Sequence, residues 1–82
     1  MSSVEHFKRQ GTLLHGLIVS HGYSIYAFAN KACYAKSGLY DIVSGKRSIM
    51  SLELATFVKI AKLLGYESLD QFAKDLALEI LK

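Results

Sequence analysis

Between Ser24 and Arg47 the chain has room for two helices of about two turns each, a tight turn between them, and nothing longer. Ser24 offers a hydroxyl to the first unpaired N–H groups of a helix over about 25–32. Cys33-Tyr34 marks the turn, and Ser44-Gly45 closes a second helix over about 36–43, because glycine readily takes the left-handed backbone that stops a helix. Phe28, Ala29, Leu39 and Ile42 fall on the inward sides of the pair. Isolated helices this short do not persist in water. The rest of the chain must therefore supply a body for them to pack on, and a bundle built for stability alone would use longer ones.

That body is legible in the flanking segments. Leu13, Leu14, Leu17 and Ile18 mark one stripe of a helix over about 5–20, weakened at Gly11 and Gly16 and stopped at His21-Gly22. Lys46 to Met50 reads as a loop, after which Ser51 is the expected cap of a fourth helix and Glu53 complements its dipole. Its expected buried stripe is Leu54, Phe57, Val58, Ala61 and Leu64, and Gly65 ends it. Ser68 with Gln71 has the spacing of a capping box for a fifth helix over about 68–81, with Leu69, Phe72, Ala73, Leu76 and Ile80 inward and Leu78 and Leu81 spare for a dimer contact. Proline is absent, and no linker or repeat divides the chain. The expected fold class is all-α, one compact five-helix domain spanning residues 1–82.

Charge is uneven along this frame. Up to residue 47 there are six lysines and arginines against two acids, and from residue 48 onward four against five. A basic half beside a slightly acidic half suits a domain that turns one face to a polyanion. Cys33 has no partner for an internal disulfide and is expected to be a small packed residue in a reducing compartment. The start, Met1 to His6, lacks the layout of a secretory leader, and no apolar run is long enough to span a membrane, so the expectation is a cytoplasmic protein with no membrane partner. His6, His15 and His21 are too widely spaced for a ligand pair, so neither metal nor cofactor is expected. Without a nucleophile elbow or a phosphate loop, no enzyme is expected either.

The order of local features resembles the Cro/repressor-like (Xre-type) helix-turn-helix family over roughly residues 7–70, with the helix-turn-helix itself at about 24–44. Carrying the resemblance are Gly22-Tyr23-Ser24, Phe28-Ala29, Leu39 and Ile42, Ser44-Gly45-Lys46-Arg47, and Lys59 through Gly65. The resemblance implies a lambda-repressor-like fold and a DNA-binding transcriptional regulator of phage, plasmid or bacterial type, a homodimer on double-stranded DNA whose second helix of the pair enters the major groove. It implies base contacts from Lys36, Ser37, Tyr40 and Asp41, and phosphate contacts from Ser24, Ser44, Lys46 and Arg47. The residue types fit those tasks. Lys36 donates to guanine O6 and N7, Ser37 bonds any base pair, and Asp41 accepts from cytosine N4. Lys46 and Arg47 neutralise phosphates and release counterions.

The chain departs from the family at Ile25, where glutamine often reaches phosphate, at Ala35, which has no capping oxygen, and at Cys33, where glycine usually makes the turn. Gly38 interrupts the second helix of the pair, and the loop after Gly45 is longer and lacks the usual proline. Ile18 and Val43 stand where some members bury an arginine–glutamate pair, a replacement that removes the cost of desolvating two charges. Tyr26, Tyr34 and Tyr40 lie along the same segment and leave two readings open. They either meet DNA or form an apolar patch for a protein partner such as a repressor or toxin, in an interaction module of anti-repressor or antitoxin type.

Overall fold

The computed structural model describes the backbone of residues 3–81 and the side chains of residues 5–77. Within them all regular structure is helical: α1 (Ser3–Ser20), α2 (Ile25–Lys31), α3 (Lys36–Val43), α4 (Leu54–Leu63) and α5 (Leu69–Leu81), with one 3-10 turn at Ile49–Ser51. No helix among the described residues is long and apolar enough to cross a membrane.

The long first helix is the hub. α1 packs against α2, α3, α5 and the 3-10 turn, and buries Leu14 and Ile18 completely. Phe28 and Ala29 of α2 and Leu39 and Ile42 of α3 close onto the same core. Phe72 of α5 joins it by stacking on Phe57 of α4, with ring centroids 4.9 Å apart and planes at 25°. Such offset aromatic pairs add about 0.5–1.5 kcal/mol to the burial of their area.

Four helices end the same way. After α1, the Tyr23 amide donates to Ile18 O at 3.2 Å and Gly22 to Val19 O at 2.9 Å, with Gly22 at φ +83°. α3 and α4 repeat this with Gly45 at φ +86° and Gly65 at φ +82°, through Lys46 to Asp41 O and Tyr66 to Ala61 O. α2 repeats it without glycine: Tyr34 donates to Ala29 O at 2.9 Å while Cys33 sits at φ +54°. This pair of hydrogen bonds to the last carbonyls satisfies groups that a helix end would otherwise leave orphaned.

Two glycines read as helix weakeners turn out to be points of close approach. A methyl group at Gly11 would lie 2.5 Å from Ile42 O and 2.6 Å from Val43 O, so α1 and the last turn of α3 touch backbone to backbone. One at Gly38 would lie 2.8 Å from the Tyr34 ring, which packs under the first turn of α3. Gly16 has nothing within 4 Å and is a weak point only.

Several expectations need correcting. α1 begins at Ser3 rather than near residue 5, and α2 stops at Lys31. Ser51 does not cap α4: its hydroxyl donates back to Ser48 O at 2.6 Å, Ser48 Oγ caps the 3-10 turn by accepting from Met50 N, and the N-cap position of α4 falls to Glu53 with no side-chain bond. The expected loop therefore contains a turn, and it delivers Ile49 to the core at 1% exposure. Leu54 is not buried but 69% exposed, and Val58 is half-buried. The inward stripe of α4 is Phe57, Ile60, Ala61 and Leu64. Ser68 does cap α5, accepting from Gln71 N at 3.2 Å, but the Gln71 side chain turns forward and donates to Asp75 Oδ1 at 2.9 Å instead of accepting from Ser68 N. Phe72 and Leu76 are buried and Leu69 and Ala73 half-buried, as expected, while Leu78, Ile80 and Leu81 lie outside the described side chains. Cys33 is exposed, not packed.

The corner between α4 and α5 is tied by Tyr66, whose hydroxyl donates to Asp75 Oδ2 at 2.7 Å while its ring lies against Phe72. Burial, with the bonded Asp75 carboxylate adding to it, pushes the Tyr66 hydroxyl up to about 12.

Candidate nucleic-acid interface

Leu39 and Ile42 fix which side of α3 faces solvent. With both buried and Gly38 against Tyr34, helical rotation leaves Lys36, Ser37 and Tyr40 outward and Asp41 at the border. Lys36 and Ser37 are exposed, Tyr40 is 54% exposed and Asp41 is half-buried. These four residues, expected to act together, do share one side of one helix.

The start of that helix is bare. Ala35 holds the N-cap position with extended backbone (φ −65°, ψ 134°) and makes no side-chain bond, so the first N–H groups of α3 receive no capping oxygen from it. Beside it, Tyr26, Asn30, Tyr34, Ala35 and Lys36 line a depression of about 210 Å³ between α2 and α3. The Lys36 ammonium lies 3.9 Å from the centre of the Tyr26 ring. A cation over an exposed ring is stabilised by about 0.5–1 kcal/mol.

At the other end of α3, a single carbonyl gathers the basic loop. Asp41 O accepts from Lys46 N at 2.9 Å, Arg47 N at 3.2 Å and Ser44 Oγ at 3.2 Å. The loop is thereby folded back against the helix, with Ser44, Lys46 and Arg47 all exposed. Arg47 also borders a groove with Tyr34, Ser51, Leu52, Glu53 and Thr56, so an acidic neighbour shares its surroundings. Ser24 is exposed as well and also serves α2. Its hydroxyl oxygen accepts from Ala27 N at 3.1 Å and caps α2.

The three tyrosines divide. Tyr26 and Tyr40 are exposed, while Tyr34 is half-buried beneath α3 and belongs to the scaffold. Asn30, which the sequence reading does not single out, lines the depression between α2 and α3. Its signal was available, since it follows Tyr26 by one helical turn on the side of α2 away from Phe28 and Ala29.

Chemically, the arrangement presents an ammonium, a hydroxyl and a phenol on a narrow helix, with a pair of further cations held at its far end. It can donate to acceptors lying along a groove and neutralise anions flanking it. A second exposed feature is apolar. Met50 (59% exposed) and Leu54 (69%) border a groove of about 320 Å³ with Leu52, Phe57, Leu69, Asp70 and Ala73. Compared with known proteins, the chain matches no protein-family model and no curated protein.

Proposed function

We propose that this chain is a cytoplasmic, sequence-specific DNA-binding regulator of phage, plasmid or bacterial type, in which α2, the turn at Cys33 and α3 act as a Cro/repressor-like helix-turn-helix. A homodimer binds double-stranded DNA, with α3 of each subunit in the major groove and half-sites about one helical turn apart. The observation that carries this reading is the outward side of α3: Lys36, Ser37 and Tyr40 open to solvent, with Lys46 and Arg47 folded back against the helix that bears them. Eight residues of helix are about 12 Å long, comparable with the width of the major groove. On this reading Lys36, Ser37, Tyr40 and Asp41 meet base edges, and Ser24, Ser44, Lys46 and Arg47 meet phosphates.

Enrichment from a library of random 20-base-pair duplexes tests it. The wild type is expected to enrich one sequence class. Lys36→Ala and Tyr40→Ala are expected to enrich altered classes, whereas Arg47→Ala weakens all duplexes alike. Equal binding of every duplex by the wild type would refute sequence reading.

A second reading, a protein-interaction module of anti-repressor or antitoxin type on the same fold, is favoured by one observation: the apolar groove beside Met50 and Leu54. It requires a stoichiometric protein partner whose binding survives high salt and is lost in Leu54→Asp.

A further inference from the structure

Lysine is a poor reader of a single base pair unless something restricts it. Its four-bond stem samples many rotamers, and its ammonium is a point charge without the planar fork of arginine. Lys36 is not in that condition here. Its ammonium sits 3.9 Å from the centre of the Tyr26 ring, which is carried on a different helix and is 58% exposed. Among the described residues the ammonium makes no hydrogen bond or ion pair, and the ring is what holds it. The ring occupies one side of the charge and leaves N–H groups on the other side free to donate.

We propose that Tyr26 is a positioning residue for Lys36: it confines the ammonium over the first turn of α3, so discrimination at the base pair that Lys36 reads depends on an aromatic ring at position 26. This inference rests on the DNA-reading function above and deepens it. The base edge involved is one that offers acceptors to a single cation, guanine O6 and N7. Position 26 needs the π-face and not the hydroxyl, because the attraction comes from the ring quadrupole. Tyr26→Phe therefore keeps the device, and Tyr26→Leu removes it while keeping an apolar side chain.

The test uses the duplex enriched by the wild type and its three variants at the base pair where Lys36→Met discriminates least. Lys36→Met is expected to lose about tenfold in discrimination at that base pair. Tyr26→Leu is expected to lose two- to fivefold at the same base pair and at no other, the worth of an exposed cation–π contact. Tyr26→Phe retains wild-type discrimination within twofold, and Tyr26→Leu added to Lys36→Met changes nothing further. Without DNA, the Lys36 ε-methylene protons are expected upfield of free lysine by ring current in the wild type and in Tyr26→Phe. Additive effects of the two substitutions, full discrimination in Tyr26→Leu, or unshifted ε-methylene protons would overturn the proposal. If the wild type enriches no sequence at all, the DNA-reading function falls and this inference with it. If the wild type reads sequence but the two positions act independently, only this inference falls.

Discussion

Cys33 stands where three other helix ends in this chain place glycine. Gly22, Gly45 and Gly65 take positive φ at little cost, whereas a side chain in the left-handed region costs about 1–2 kcal/mol. The thiol is exposed, so removing it opens no cavity. Cys33→Gly is expected to raise stability by about 1 kcal/mol in urea unfolding, and an unchanged midpoint would show that the turn is not strained. The glycines of α1 make an opposite pair. Gly16→Ala adds a methyl group to open space inside a helix and should stabilise by about 0.5–1 kcal/mol. Gly11→Ala drives one into the carbonyls of Ile42 and Val43 and should destabilise by about 1–3 kcal/mol. The same denaturant curves check both. From the letters alone these two residues look identical, because a close approach between α1 and α3 is a property of the packed pair and not of either segment.

At the scale of the elements, α3 is held from outside itself. Eight residues with no N-cap bond and an internal glycine form a helix here because Leu39 and Ile42 are buried against the core. Supplying the missing cap is expected to help. The backbone of Ala35 is already extended, as a capping residue requires, so Ala35→Ser should stabilise by about 1 kcal/mol. Ala35→Asp should stabilise similarly yet weaken DNA binding, because it sets an anion beside Lys36. Equal DNA affinity in the two variants would place the start of α3 away from the phosphates. The α4–α5 corner carries its own pH signature. Tyr66 keeps its proton up to about 12 in the folded chain, against about 10 for an unperturbed tyrosine. An acid whose folded pKa is raised contributes stability fully below the unfolded value and loses it as pH rises toward the folded one. The stability difference between wild type and Tyr66→Phe should therefore be constant up to about pH 9 and shrink between pH 10 and 12. A constant difference across that range would contradict a Tyr66 hydroxyl raised by burial and by its bond to Asp75.

Local signals explain what was legible in these elements. The Ser24 and Ser68 caps, the limits of α3 and the glycine stops depend on a few adjacent residues and stand as read. The start of α4 does not. Leu54, Phe57, Val58, Ala61 and Leu64 form an apolar stripe at helical spacing, but so do Phe57, Ile60, Ala61 and Leu64. α4 is apolar on more than one side, and the core chooses between stripes that periodicity cannot rank. Ile49 was hidden for a related reason: a single apolar residue after Lys46 and Arg47 reads as loop until a turn brings it inward. At the candidate site, the outward residues of α3 followed from its buried ones, whereas the Tyr26–Lys36 contact joins two helices and no spacing rule announces it.

Taken whole, the molecule is a scaffold in which α1, α4 and α5 let two helices too short to stand alone keep fixed positions. The base-rich part of the chain ends at Arg47 and the acid-bearing part follows it, so the segment that contains α3 is also the one with excess positive charge. The competing surface, beside Met50 and Leu54, is apolar and lies on the 3-10 turn, α4 and α5. The two surfaces predict different footprints, and amide chemical-shift mapping of the labelled chain against its enriched duplex separates them most directly. Perturbations are expected at Ser37 to Asp41 and at Lys46 and Arg47, fading as salt is raised. Perturbations confined to Met50, Leu54 and Leu69, or a spectrum indifferent to duplex at low salt, would contradict DNA reading through α3.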